Sequence, residues 1–178
     1  MKTRVIAVVG SKKSGKTTTI ENLIKELTKR GYKTAAIKHI SEPNFTIDTP
    51  NKDTWRFAQA GAKTIISVAT NETATIEKTP IENLTLNALL KKCKNNNIIL
   101  IEGLKKLTAT NKNIPKIITT KTTTEATNAL KNYKPILAFS GPNPTDTLSP
   151  EIPYADALKN PEKLATIIEN KLLKKDNC

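Results

Sequence analysis

A glycine-framed loop between an apolar run and a helical pattern constrains this sequence most. The run from Arg4 to Val9, RVIAVV, is rich in β-branched residues and predicts a strand that is buried on both faces. It leads into GSKKSGKT at positions 10–17, which matches the pattern G-x4-G-K-S/T. From Thr18 to Arg30 apolar residues recur at helical spacing, and Gly31 follows as a stop signal. A strand, this loop and a helix in this order predict a phosphate-binding loop.

The chemistry of phosphate binding explains the spacing of the loop residues. Gly10 and Gly15 let the backbone curl so that successive N–H groups point inward, and the start of the next helix adds unpaired N–H donors and a positive dipole end. Lys16 then places an ammonium beside the β- and γ-phosphates, and the Thr17 hydroxyl is a ligand for Mg²⁺. The predicted nucleotide-binding residues of the loop are Gly10, Ser11, Lys12, Lys13, Ser14, Gly15, Lys16, Thr17 and Thr18.

A magnesium site also needs an acid at the end of a neighbouring strand. Glu102, which closes the apolar run IILIE, is the first candidate, and the predicted metal ligands are therefore Thr17 and Glu102. Asp48, in a long polar loop, is a second candidate acid. His39 ends the second predicted strand, near the sheet edge where open α/β folds bind ligands. Together with Lys16, these three residues are the candidates for catalytic roles.

The remaining pattern alternates strands and helices, which predicts an α/β protein: a P-loop NTPase-like three-layer sandwich with a mainly parallel central sheet flanked by helices. We expect a single nucleotide-binding domain over 1–178, with the motifs in 1–120 and a C-terminal part, 121–178, that completes the sheet and the outer helices. The further predicted strands are Lys33–Lys38, Lys63–Ala69 paired with Thr73–Ile76, Ile98–Ile101, Lys116–Thr120 and Pro135–Ser140, and the further predicted helices are Asp53–Ala60, Ile81–Lys92, Glu125–Leu130 and Pro161–Leu173.

Composition narrows the class of protein. No apolar run approaches the roughly 18 to 20 residues of a membrane span, so we expect a soluble cytoplasmic protein. The two cysteines and the single histidine offer neither zinc spacing nor a disulfide framework. The net charge of +13 indicates a polyanionic partner, but only 4% of residues are aromatic and lysine far outnumbers arginine. Binding of nucleic acid is therefore unlikely on these grounds, and a nucleotide-dependent nucleic-acid-binding module stays as an alternative.

The loop alone does not choose among the P-loop classes. A small-molecule kinase stabilises the transferred charge with arginines, and this chain has only Arg4, Arg30 and Arg56. A signalling GTPase carries Asn-Lys-x-Asp for the guanine base, and the nearest stretch, TKTT at 120–123, lacks the acid. The sequence pattern thus leaves the base open, with a small-molecule kinase as the main alternative.

Four stretches in order resemble the molybdopterin-guanine dinucleotide biosynthesis protein B (MobB) family. They are GSKKSGKTT, the strand end AAIKH, D-x3-KD-x2-R-x4-GA (Asp48, Lys52, Asp53, Arg56, Gly61, Ala62) and IILIEGLK followed by IPKI at 114–117. The resemblance implies a GTP-binding protein with at most slow hydrolysis that uses Mg²⁺. It implies a homodimer working beside a MobA-type guanylyltransferase, which attaches GMP to molybdopterin to form the guanine dinucleotide. It also implies that His39, Asp48, Lys52, Asp53 and Arg56 line the site around the nucleotide or the pterin phosphate.

Overall fold

The computed structural model describes residues 3–145 and 148–174, and it divides into two compact units. The large unit is Met1–His39 with Leu90–Cys178, and the small unit is Ile40–Leu89. In chain order the described residues form β1 (Arg4–Gly10), α1 (Lys16–Lys29), β2 (Thr34–Lys38), α2 (Asp53–Gln59), β3 (Thr64–Val68), β4 (Thr73–Glu77), a 3-10 turn (Ile81–Asn83), α3 (Leu86–Lys92), β5 (Ile98–Glu102), α4 (Lys105–Thr108), β6 (Lys116–Thr119), α5 (Thr123–Asn132), β7 (Ile136–Ser140), α6 (Pro161–Ile168) and a π-helical turn (Glu169–Leu173).

The large unit contains a parallel sheet of five strands in the order β2-β5-β1-β6-β7. The two central apolar runs make its middle: Ile6 to Val9 of β1 and Ile98 to Ile101 of β5 are almost wholly inaccessible to solvent. Strands of a parallel sheet are buried on both faces, which is why these runs do not alternate with polar residues. The predicted α/β fold with a mainly parallel sheet is confirmed.

One layer of helices is held to this sheet by apolar packing and by an ion network. Leu23 and Leu27 of α1 share a buried cluster with Leu164 of α6. At the edge of that cluster, Arg30 contacts Glu26 at 2.8 Å and Glu169 at 2.5 Å. The contact with Glu169 joins the end of α1 to the C-terminal segment, so the last part of the chain stabilises the helix that begins at the phosphate loop.

The small unit consists of a short helix and an antiparallel hairpin. Strands β3 and β4 pair with Ile65 opposite Ile76 and Ile66 opposite Thr75. Ile65 is buried, whereas Ile66 and Val68, on the other face of the hairpin, are 62% and 77% exposed. The pairing of the two predicted strands as a hairpin is confirmed.

Several details of the helices differ from the sequence-based prediction. The predicted helix Pro161–Leu173 is α6 up to Ile168 and a π-helical turn from Glu169. The predicted helix Ile81–Lys92 is a 3-10 turn followed by α3, because Leu84 is extended and the Thr85 hydroxyl accepts the Ala88 N–H, which starts a new helix. Helix α5 is longer than predicted, because the Thr122 hydroxyl caps it by accepting the Glu125 N–H. Helix α4 was not predicted.

Cys178 lies outside the described residues, and no helix within the described ranges is long and apolar enough to cross a membrane.

A fully buried lysine makes the stability of the large unit depend on pH. Lys116 of β6 donates hydrogen bonds to the backbone carbonyls of Asn111 at 2.7 Å and Lys134 at 2.6 Å. Burial lowers the pKa of this ammonium from 10.5 to about 8. Between these two values the unfolded chain binds the proton and the folded chain does not, so stability rises as the pH increases.

We therefore expect the wild type to gain stability relative to Lys116→Met between pH 8 and pH 10, by at most about 1.4 kcal/mol per pH unit. Urea unfolding of both proteins at pH 7, 8, 9 and 10 measures this difference. The comparison cancels the other lysines and the tyrosines, which titrate in both proteins. Parallel pH profiles would show that folding does not lower the pKa of Lys116.

Candidate functional site

The phosphate loop connects the centre of the sheet to α1. Strand β1 ends at Gly10 and α1 begins at Lys16. Gly15, the residue before the helix, has φ 87° and ψ 14°, a left-handed conformation that glycine adopts without strain. This geometry places the free N–H groups of the first helical turn at the carboxyl edge of the sheet, where an anion is stabilised by the helix dipole.

Strand β6 closes one side of the loop. The hydroxyls of Ser14 and Thr119 are buried and lie 2.7 Å apart, and the Thr119 hydroxyl also donates to the Val9 carbonyl at 3.3 Å. A Cβ at Gly10 would overlap the Thr119 carbonyl and side-chain oxygens and would lie 2.5 Å from the Ser14 hydroxyl oxygen. Gly10 is therefore required by a close approach of β6, in addition to the flexibility that the sequence pattern predicted.

Lys16 is the first residue of α1, and its side chain reaches back over the loop. Its Nζ donates to the Ser11 carbonyl at 2.5 Å, which bends the side chain back across the loop. Burial lowers the pKa of Lys16, and the positive charges of Lys105 and Lys38 lower it further, while Glu102 opposes them. An ammonium whose charge is disfavoured in this way gains more from a bound anion than a fully solvated one does.

Thr17 and Glu102 meet at the predicted metal position. Glu102 ends β5 and lies in register with Val8 of β1 and Lys38 of β2. The Thr17 hydroxyl donates to both carboxylate oxygens, at 3.1 and 3.0 Å, and Lys38 Nζ lies 3.5 Å from Oε2. A hydroxyl and a carboxylate are hard oxygen donors of the kind that Mg²⁺ prefers, so this pair fits the ion.

A single carboxylate is enough for such a site. Within the part of the chain that the structure describes, no group of three or more His, Cys, Asp or Glu side chains could hold a metal. Mg²⁺ usually takes one or two protein ligands and completes its octahedron with substrate phosphates and water. The site therefore has the composition of a metal–nucleotide site, in which the phosphates are part of the coordination.

The loop and Glu102 line an open cavity of about 470 Å³. Lysines dominate its charge, so it attracts a polyanion. It is lined by Lys12, Lys13, Ser14, Gly15, Lys16, Thr17, Thr18 and Glu102.

His39 lies next to this cavity through its backbone. Its N–H donates to the Glu102 carbonyl at 2.9 Å, which extends the pairing of β2 and β5 by one residue. A Cβ on the neighbouring Gly103, which has φ 85°, would come 3.1 Å from the His39 Cβ. The exposed His39 thus follows directly after β2, beside the end of β5 where Glu102 lies, in agreement with the prediction that it ends the second strand.

The other predicted site residues belong to the small unit and form a separate group. Asp48 Oδ1 accepts hydrogen bonds from the Thr49 N–H at 3.0 Å and the Thr54 hydroxyl at 2.8 Å, while its Oδ2 is buried and has no hydrogen-bond partner among the described residues. Lys52 precedes α2, and Asp53 and Arg56 lie on its exposed side. Their side chains are 3.4 Å apart at Arg56 Nη1 and Asp53 Oδ1. Their role toward a nucleotide stays a prediction.

Sequence reasoning missed that residues just after β6 support the phosphate loop. Lys121 Nζ donates to the Lys12 carbonyl at 3.4 Å, and Glu125 accepts the Lys121 N–H at 2.7 Å. That backbone hydrogen bond lowers the pKa of Glu125, so its carboxylate stays charged. The stretch TKTT lacks the acid of a guanine-binding motif, but it contains this support. The spacing of Thr122 and Glu125, a helix capping box, was the available signal.

These features define the chain as an α/β protein with a P-loop NTPase-like fold. A family model described as molybdopterin guanine dinucleotide synthesis protein B, MobB, matches residues 5–140. Since the match covers more than half of the sequence, the chain belongs to the MobB family, and the resemblance seen in the motifs is confirmed.

Individual relatives agree with this assignment. A relative from Methanocaldococcus jannaschii is 39% identical over 120 residues, which are 66% of this chain and 47% of that protein. The molybdopterin-guanine dinucleotide biosynthesis adapter protein of Haemophilus influenzae is 33% identical over 116 residues, which are 64% of this chain and 61% of that protein. The matched part thus spans about half to three fifths of each relative.

A solved structure extends the likeness beyond the matched sequence. The crystal structure of Bacillus subtilis MobB has a TM-score of 0.72 to this chain at 22% identity, and the similarity covers 97% of this chain and 99% of that one. At this identity the likeness supports the fold alone. It includes most of the C-terminal part, where sequence reasoning found no motif.

Proposed function

We propose that this chain is a GTP-binding adapter protein of molybdopterin-guanine dinucleotide biosynthesis that assists the attachment of GMP to molybdopterin. The observation that carries the proposal is the phosphate loop with its Thr17–Glu102 pair, in a chain that the MobB family model matches over 5–140. The relatives from Haemophilus influenzae and Escherichia coli are adapter proteins of this biosynthesis. Family membership also disfavours the two alternatives, a small-molecule kinase and a nucleic-acid-binding module.

In this proposal the loop binds the triphosphate and the Thr17–Glu102 pair holds Mg²⁺. When bound, the ion neutralises phosphate charge and orients the β- and γ-phosphates. Lys16 exchanges the Ser11 carbonyl for phosphate oxygens, and the N–H groups at the start of α1 point at the same anion. Lys12 and Lys13, at the rim of the cavity, attract the nucleotide.

We propose at most slow hydrolysis for this site. Fast phosphoryl transfer in P-loop proteins uses an arginine beside the transferred group. The described residues that line the cavity contribute lysines and no arginine. In the large unit Arg30 is held by Glu26 and Glu169 at the far end of α1. An adapter that binds GTP and keeps it intact fits this composition better than an efficient hydrolase does.

The second group of residues is proposed to serve the nucleotide or the pterin phosphate. Arg56, whose side chain is 71% exposed, is a planar cation suited to two parallel hydrogen bonds with a phosphate. Asp48 Oδ2 has no hydrogen-bond partner among the described residues, and a buried acceptor of this kind gains from a ligand that donates to it. Lys52, Asp53 and His39 complete the proposed set, and His39 is a candidate for moving a proton.

Two protein partners are also proposed. The first is a MobA-type guanylyltransferase, since the named relatives are adapters of that biosynthesis. The second is another copy of this chain. The exposed apolar side chains Ile66 and Val68 on one face of the hairpin support such a homodimer, because apolar strand faces of this kind gain from burial.

Calorimetric titration of the purified protein with GTP and with ATP, each with magnesium, tests the proposal. We expect GTP to bind with clear selectivity over ATP and with negligible release of phosphate during the titration. A preference for ATP, or rapid hydrolysis, would contradict the proposal and favour a kinase on the same fold. Binding of neither nucleotide would show that the loop has lost its function in this chain.

A further inference from the structure

The carboxylate of Glu102 already has a cation beside it. Lys38 Nζ lies 3.5 Å from Glu102 Oε2, while the Thr17 hydroxyl contacts both carboxylate oxygens. The contact follows from the sheet, because Lys38 and Glu102 end two neighbouring parallel strands and are in register. The Glu102 side chain is 15% exposed, and that of Lys38 is 53% exposed. A shielded carboxylate thus faces a half-exposed ammonium.

This arrangement matters because a carboxylate at the end of a phosphate site repels the ligand. A triphosphate bound against Lys16 and Thr17 brings several negative charges close to Glu102. Their repulsion is strong where the carboxylate is shielded from water, and it falls when a cation neutralises the carboxylate. Either Mg²⁺ or the ammonium of Lys38 supplies that cation.

The two cations compete for one carboxylate. A divalent ion on Glu102 and Thr17 repels an ammonium at 3.5 Å from the same carboxylate oxygen. Because about half of the Lys38 side chain is exposed, it withdraws into water at little cost. Glu102 therefore has a positive partner both before and after the metal arrives.

We propose that Lys38 is a positioning residue that takes the place of Mg²⁺ on Glu102 until the metal–nucleotide complex forms. It holds the carboxylate in its binding position against Thr17 and shields the entering phosphates from its charge. The proposal rests on the proposed GTP-binding function. It adds a defined role to a lysine that neither the motif nor the metal site requires.

The test compares GTP affinity with and without magnesium in the wild type and in Lys38→Met. Calorimetry gives the dissociation constant of GTP in EDTA and at saturating magnesium. The quantity compared is the EDTA value divided by the magnesium value. We expect this ratio to be about tenfold larger in Lys38→Met, because GTP binding without the metal loses the neutralising contact while binding with the metal keeps its own. Lys38→Arg keeps the charge and should restore the wild-type ratio.

Lys29→Met is the matched control. Lys29 is an exposed lysine on the last turn of α1, roughly 20 Å along the helix from Lys16. Its substitution by Met removes the same charge as Lys38→Met but lies far from the site. An unchanged ratio in Lys38→Met, with normal binding by the wild type, would overturn the role of Lys38 alone. Lys38→Gln repeats the measurement with a polar side chain of similar length. Failure of the wild type to bind GTP would overturn both this role and the proposed function.

Discussion

Lys16→Ala should weaken the binding of magnesium-GTP by at least tenfold and leave the protein folded. The ammonium is the cation aimed into the loop, and a hydrogen bond to a charged group is worth about 1.5–3 kcal/mol. Stability should change by less than about 1 kcal/mol, because burial already disfavours the charge of Lys16 before any ligand is bound. Calorimetry measures the affinity and urea unfolding measures the stability.

Lys25→Ala is the control for this variant. Lys25 is exposed on the same helix and carries the same charge, so it tests whether net charge alone attracts GTP. We expect its affinity to stay within about twofold of the wild type. Equal losses in the two variants would mean that binding depends on the overall charge of +13 and not on the loop.

Gly10→Ala should damage both the fold and the site. The added methyl group overlaps the Thr119 carbonyl and hydroxyl oxygens, and the backbone of a central strand has little freedom to move away. We expect the free energy of unfolding to fall by about 1–3 kcal/mol, as for other overpacked interiors. We also expect GTP binding to fall more than tenfold, because the loop and β6 must separate to make room.

Gly31→Ala separates this steric effect from a general loss of glycine. Gly31 follows α1 with φ 85°, and a Cβ there meets no atom within 4 Å. The expected result is a loss of about 1–2 kcal/mol from left-handed backbone strain, with unchanged GTP affinity. If Gly10→Ala also kept its affinity, the close packing of Thr119 on the loop would not be needed for nucleotide binding.

The sequence by itself determined the class of fold and the core of the site. The apolar runs that end in Gly10 and Glu102 predicted buried parallel strands, and the spacing from Gly10 to Thr17 between a strand and a helix predicted a phosphate-binding loop. These features are local, because each depends on neighbours within about ten residues. For that reason they are readable without coordinates.

Helix ends were predicted less well, although nearby residues set them too. Thr85 and Thr122 decide where α3 and α5 begin by capping them, and a cap competes with continuation of the preceding segment. Periodicity of apolar residues does not record this competition. It therefore merged the 3-10 turn with α3 and shortened α5.

Only the tertiary structure decided which side chains share the site. The strand order β2-β5-β1-β6-β7 places Lys38 beside Glu102, and it brings Thr119 against Gly10 from more than a hundred residues away in the chain. Register across a sheet is set by the packing of whole strands and helices, and no short stretch of sequence encodes it. The motif therefore identified the phosphate loop. The order of strands in the sheet placed Lys38 beside Glu102 and packed Thr119 against the loop.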